Sequence, residues 1–270
     1  MQTAIWNFGD MLDALGEALG PDNTALIQGD RSLSWPELTE RSNNLARNFI
    51  ELGANVGDKV GFYLRNRPEY MEGLAACWKA RLTHVNVNYR YVDDELIYIF
   101  DNSDSTLVIY GEEFRDTVER IRHRLPIVKA LIEAGSGNEL PNGVHHYGAL
   151  ATSGNGARLE MQRSGEDMLF LYTGGTTGMP KGVMWTHQIW RDANASALET
   201  IFGFVPASMD DYVSAALEHG TSTRQCPACP LMHGTGLFTA MGALLNGGTV
   251  ALLPTPSKFD ADELWGEAHR

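Results

Sequence analysis

Eleven residues, Tyr172-Thr173-Gly174-Gly175-Thr176-Thr177-Gly178-Met179-Pro180-Lys181-Gly182, lie between two apolar runs, 168–172 and 182–187, that read as strands. Their types suit an anion. Glycine lets the backbone turn sharply and bring N–H groups close to a phosphate. The hydroxyls of Thr173, Thr176 and Thr177 add donors, and a threonine oxygen can ligate a hard cation. Pro180 lacks an N–H and resists helix formation just where a Walker-type loop would start its helix. Lys181 brings one flexible positive charge and is the only lysine between Lys129 and Lys258. The spacing is not G-x-x-x-x-G-K-[ST], which excludes a P-loop NTPase. A two-residue turn would suffice for a hairpin. A loop this long and rich in donors is therefore expected to bind phosphate as well as reverse the chain.

His233, in Pro230-Leu231-Met232-His233-Gly234, stands just before a helical pattern at 236–246. Two roles suit it: capping that helix, or donating from a neutral or protonated imidazole to a substrate oxygen. The residues alone favour the cap. Cys226-Pro227-Ala228-Cys229, with His219 upstream and His233 downstream, raises a zinc or redox module. It lacks a second ligand pair at zinc spacing, so two small half-buried cysteines are expected instead. His145 and His146 read as solvated surface, and His187 as structural. Tyr63, Tyr70 and Trp78 fall on the core faces of their elements.

The elements that must carry these residues alternate. Ser34-Trp35-Pro36-Glu37 is a capping box. Apolar residues then recur at helical steps from Leu38 to Leu52, and Gly53 stops the helix. Strand patterns at 59–64, 83–87, 106–110 and 128–133 are separated by helix patterns at 66–78, 94–102 and 112–124. Repeated β-α-β units predict an α/β fold of mostly parallel layered sheets with helices on both faces. Residues 134–165, rich in Gly, Ser and Asn around a small apolar patch at 147–150, read as a surface excursion. They would join a first α/β subdomain, 1–165, to the start of a second, 166–270. Beyond the loop, helices are expected at 188–201 and 236–246 and a strand at 249–253. A helix opening at Asp260 runs without a stop signal into Arg270, as in a chain that ends inside its second subdomain.

Composition bounds the partners. The 270 residues carry 21 Lys+Arg against 34 Asp+Glu, a net charge of −13 with His neutral. Such a balance repels nucleic acid and anionic lipid. Any polyanion must be held by a local device. No apolar run approaches the roughly 18–20 residues of a membrane span, the first ten residues lack a basic and an apolar segment typical of secretion, and three cysteines are too few for a disulfide scaffold. A cytoplasmic protein is expected.

Residues 172–182 resemble the signature phosphate loop of the adenylate-forming superfamily, which includes acyl-CoA synthetases, luciferases and nonribosomal peptide adenylation domains. The resemblance extends to 33–53, to Val85-Asn86-Val87-Asn88-Tyr89-Arg90-Tyr91 with Glu95-Leu96, and to Pro230-Leu231-Met232-His233-Gly234. Within the superfamily, Tyr89-Arg90-Tyr91, Asp101-Asn102-Ser103-Asp104 and Val183-Met184-Trp185 look most like acyl-CoA synthetases of the fatty-acid and sterol-side-chain type.

The resemblance implies activation of a carboxylic acid by ATP to an acyl-adenylate, then thioester formation with CoA. It implies that Thr173, Gly174, Gly175, Thr176, Thr177, Gly178 and Lys181 wrap the β- and γ-phosphates, and that Thr173 helps hold Mg²⁺. It places His233 beside the carboxylate and the α-phosphate, with Gly234 at the ATP site and Gly234 and Leu237 at the mouth of the acyl pocket. Lys181 and His233 would be the catalytic pair. The family often has Ser where Gly174 stands, which shifts phosphate binding here toward backbone N–H groups. Its acidic metal ligand, ribose aspartate, hinge and C-terminal lysine have no counterpart before Arg270. The chain is thus expected to be an N-terminal portion that folds, makes no acyl-CoA alone, and forms a homodimer or aggregates through an exposed apolar face. Transfer to a carrier protein, or nucleotide binding without turnover, are the rival readings.

Overall fold

The computed structural model describes residues 6–175 and 178–269. Two sheets organise it. The larger runs β7-β6-β5-β3-β4-β8-β9, from β3 (Lys59–Tyr63), β4 (Thr83–Asn86), β5 (Ser105–Gly111), β6 (Ala130–Ala134), β7 (Val144–His146), β8 (Met168–Gly175) and β9 (Gly178–Thr186). All neighbours pair parallel except β8 and β9. The smaller sheet runs β10-β11-β1-β2, from β1 (Thr24–Gln28), β2 (Arg31–Ser34), β10 (Arg224–Gln225) and β11 (Thr249–Leu252). Here only β1 and β2 are antiparallel.

Both faces of the larger sheet are covered, as an uninterrupted apolar strand requires. Along β5, Leu107 and Ile109 join one core, with Phe62, Trp78 and the helix Trp35–Glu51. Val108 and Tyr110 join the other, with Phe100 and Val118. The layered, mostly parallel α/β architecture read from the sequence is the one observed. Among the described residues no helix is long and apolar enough to cross a membrane.

The capping box forms as expected: Ser34 Oγ accepts from the Glu37 N–H at 3.4 Å while Glu37 Oε2 accepts from the Ser34 N–H at 2.7 Å. Tyr63, Tyr70 and Trp78 are buried. Five expectations need correction. The strands flanking the expected loop run further than 168–172 and 182–187: β8 and β9 pair from Met168↔Thr186 to Gly175↔Gly178 with an irregularity after Thr173. The excursion at 134–165 contains β7 and a helix, Tyr147–Thr152, whose N-cap is His146. His145 and His146 are therefore half-buried strand residues rather than solvated surface; His146 Nδ1 accepts from the Ala149 N–H at 3.2 Å. The helix at 188–201 divides at Asn194 into His187–Ala193 and Ala195–Phe202, and Asn194 Nδ2 donates back to the Trp190 carbonyl. The last helix closes at Ala268, with His269 at its C-cap; Arg270 lies outside the described residues. A subdomain division near residue 165 stands as our proposal about chain organisation; each sheet draws strands from both sides of it.

His187 is buried against Phe8, rings stacked 4.1 Å apart, and its Nδ1 accepts from the Phe8 N–H. Burial lowers its pKa from 6.5 to about 3, against weak opposition from Asp167. In the unfolded chain the ring protonates near its ordinary value, so acidification favours unfolding and the stabilisation present above pH 6.5 is lost as pH falls toward 3. Between pH 7 and 5 this one ring should cost about 2 kcal/mol. Urea unfolding at both pH values checks it: His187→Asn should flatten the dependence by that amount, and an unchanged slope would rule out a neutral buried imidazole.

Candidate functional site

Ligands of open parallel sheets collect at the carboxyl ends of the strands. There β8 and β9 project Thr173 and Lys181, which are directly paired. Opposed residues of an antiparallel pair place their side chains on one face, so hydroxyl and ammonium share it. Both side chains are exposed, and among the described residues Lys181 makes no ion pair. A Cβ at Gly174 would meet nothing within 4 Å, so the serine common in the resembling family would fit. Gly175 and Gly178 close the described pairing; Thr176 and Thr177 lie outside the described residues.

The hairpin is anchored from behind by the helix Asp93–Asn102. Tyr172 Oη donates to Asn102 Oδ1 at 2.8 Å, and Tyr98 Oη donates to the Pro180 carbonyl at 3.2 Å. The helix Gly234–Leu245 starts beside it with His233 at the N-cap. His233 makes no side-chain capping bond; its ring is exposed while its backbone N–H donates to the Pro230 carbonyl at 3.0 Å. Partial burial, then the Arg90 charge, hold its pKa below the ordinary histidine value. It is therefore neutral at pH 7, with one ring N–H to give. Gly236 permits the tight entry to this helix, since a Cβ there would stand 2.4 Å from the Pro230 carbonyl oxygen.

Gly234 is half-buried against Leu171, and Leu237 is fully buried in the main core. Phe238, the next residue, is half-buried. With Trp190, Leu198, Gly242 and Leu245 it lines a largely apolar cavity of about 170 Å³ beside the helix. Cys226 and Cys229 are free and half-buried, and among the described residues no three His, Cys, Asp or Glu side chains form a group able to hold a metal.

Two positioning asparagines were missed by sequence reasoning. Asn66 Oδ1 accepts from the Leu231 N–H at 2.8 Å and its Nδ2 donates to the Cys229 carbonyl at 3.2 Å. Asn86 bonds Tyr172 and Met232. Asn86 carried a signal: a buried amide between Val85 and Val87 in a strand, where asparagine is depleted. Arg65, stacked 4.8 Å over the Tyr89 ring, and Arg90 add positive charge to this end of the sheet in a chain that is acidic overall.

Comparison with known proteins bears on the fold and the family. A medium/long-chain-fatty-acid–CoA/3-oxocholest-4-en-26-oate–CoA ligase of Mycobacterium marinum is 35% identical over 266 residues, 96% of this chain and 48% of the relative. A 3-oxocholest-4-en-26-oate–CoA ligase of Rhodococcus rhodochrous is 36% identical over 252 residues, 92% of this chain and 44% of its own length. The chain thus spans about half the length of the curated relatives it matches. Among solved structures, ATP-bound MatB from Rhodopseudomonas palustris superposes with a TM-score of 0.75 at 24% identity, over 98% of this chain and 48% of that one. Apo MbtA of Mycobacterium smegmatis gives 0.78 at 21%, over 98% and 46%. At those identities the likeness speaks for the fold. The sequence profile of the AMP-binding enzymes matches residues 17–270, taking in the hairpin, His233 and both sheets, and the chain belongs to that family.

Proposed function

We propose that this chain supplies the phosphate-binding and carboxylate-activating part of an ATP-dependent acid–thiol ligase. The observation that carries the reading is that Asn86 bonds both Tyr172 and Met232, joining the strand that bears exposed Thr173, paired with Lys181, to the turn that bears the uncapped His233; among the described residues Lys181 makes no ion pair. Family membership and the ligase names of the relatives support it.

In the proposed reaction a carboxylate oxygen attacks the α-phosphorus of ATP. The new acyl–phosphate bond forms as the bond to the β-phosphate oxygen breaks, and pyrophosphate leaves. Two anions approach, so positioning and charge neutralisation dominate the barrier. The hairpin N–H groups, the Thr173 hydroxyl and Lys181 take the β- and γ-phosphates. His233 donates to an oxygen of the α-phosphate or the carboxylate. A CoA thiol then attacks the acyl carbon, forming the thioester and releasing AMP.

Mg²⁺ fits this donor set only as a nucleotide-borne ion. Thr173 offers one hard oxygen and the described residues offer no carboxylate cage, whereas Mg²⁺ keeps waters and phosphate oxygens as its main ligands. Bound there, it would neutralise charge between the phosphates. The acid's apolar part would enter the cavity beside Phe238, and fatty or sterol-side-chain acids are the class that the relatives' names suggest. Self-association would use β9, the edge strand, where Val183 and Met184 are exposed.

The test is acid-dependent exchange of labelled pyrophosphate into ATP by the full-length protein, across fatty, sterol-side-chain and aromatic acids. Exchange with an apolar acid supports the reading. Absence of exchange with every acid, together with no ATP binding, would overturn it.

A further inference from the structure

Asn86 ends β4 and is 2% exposed. An unpaired amide in that position would be costly, yet this one is fully used. Its Oδ1 accepts from the Tyr172 N–H at 2.6 Å, and its Nδ2 donates to the Tyr172 carbonyl at 3.2 Å and to the Met232 carbonyl at 2.5 Å. The backbone pairing of β4 with β8 comes just before, at His84↔Leu169 and Val85↔Phe170. Beyond it the Asn86 side chain stands in for a strand, offering Tyr172 a carbonyl and an N–H as a neighbouring peptide would. Its second N–H, which no peptide has, takes Met232.

The two residues so joined matter by position. Tyr172 immediately precedes Thr173 on the hairpin, and Met232 immediately precedes His233. Asn66 pins the same turn through Cys229 and Leu231, whereas Asn86 bonds the turn and the hairpin strand at once. We infer that Asn86 is a positioning residue that sets the spacing between the phosphate-binding hairpin and His233, so that both address one ATP molecule. It acts through the backbone of each and touches neither nucleotide nor acid. The inference rests on the function proposed above.

Two variants separate the bonds. Asn86→Ala removes all three. Asn86→Asp keeps the bond from the Tyr172 N–H but sets a carboxylate oxygen against the Tyr172 and Met232 carbonyls. In the full-length protein, both should lower kcat of pyrophosphate exchange by about 10- to 100-fold, the scale of an ångström misplacement. KM for ATP should change by less than about threefold, because Lys181 and the hairpin tip are retained.

A merely structural asparagine would not give that split, and nuclear magnetic resonance supplies a readout independent of turnover. In Asn86→Ala the His233 ring signals and the Gly174 amide should shift together, with the His233 titration moving up toward the ordinary value. In Asn66→Ala, His233 should shift while Gly174 stays. If Asn86→Ala does not fold, Asn86→Asp decides by the same signals. Unchanged His233 signals in folded variants, or a kcat loss no larger than the loss of folded protein, would overturn the inference. If the wild-type protein shows no exchange at all, the ligase reading fails, and the paired shifts still decide whether Asn86 couples the two segments.

Discussion

Replacing His233 by alanine should slow acyl-adenylate formation by about 10²- to 10³-fold, the usual cost of one aimed donor at a site of developing charge. KM for ATP should stay within a few fold. The local structure argues that the loss will be chemical. His233 occupies the N-cap of Gly234–Leu245 without a side-chain capping bond, and its ring is exposed. Alanine therefore removes no cap bond, and the thermal midpoint should hold. Partial burial and Arg90 keep the ring neutral at pH 7, so its donor is a single N–H, aimed by the turn that Asn66 and Asn86 clamp. The contact strengthens as charge gathers on the oxygens, which is why kcat should bear the loss rather than KM. Because the pKa is displaced downward, the ring stays neutral to a lower pH than an ordinary histidine would. A variant that melts earlier yet keeps kcat would make His233 a purely structural residue.

What was legible in the sequence was local. Ser34 and Glu37 announce the helix they cap because both partners lie within one turn. The run 106–110 announces β5 because it is buried on both faces. Thr173 and Lys181 are candidates that the sequence offers because their chemistry is carried by residue type and spacing, which needs no partner elsewhere. What was not legible depends on distant pairing. β1 gains a parallel neighbour in β11, with Leu26 opposite Val250, and no local pattern signals that. The opening helix, Phe8–Ala18, is fixed by contacts such as Asn7 with Asp167 and Ser164. Thr173, Gly174, Gly175 and Gly178 look like a loop by composition, but pairing across β8 and β9 extends them into strands. Asn66 and Asn86 follow the same rule. Their work is to hold backbone groups up to 165 residues away, and an amide in a sequence does not say whose carbonyl it will meet.

Lys181→Ala should weaken ATP binding by about 10- to 100-fold, the equivalent of about 1.5–3 kcal/mol for a lost charge-assisted contact to phosphate. Folding should not change. The side chain is exposed and free of ion pairs among the described residues, whereas three arginines near the sheet ends are engaged: Arg67 with Glu69, Arg65 over Tyr89, Arg115 with Glu133. A lysine with no ion pair among the described residues, in a chain of net charge −13, leaves its charge available to an incoming anion. Its direct pairing with Thr173 on β8 fixes where that charge sits relative to the glycines of the tip. Lys181→Arg should recover only part of the affinity, because a planar fork does not reproduce the geometry of a compact ammonium. Salt gives an independent check. Exposed charge pairs are screened within about 10 Å at 0.1 M ionic strength, so wild-type ATP affinity should fall with added salt more steeply than that of Lys181→Ala. Calorimetric titration of ATP at two salt concentrations, with thermal melts of both proteins, measures all of this. Equal affinities and equal salt slopes with equal melting points would leave the hairpin as a structural reversal of the chain, and phosphate recognition would have to be sought elsewhere on the molecule.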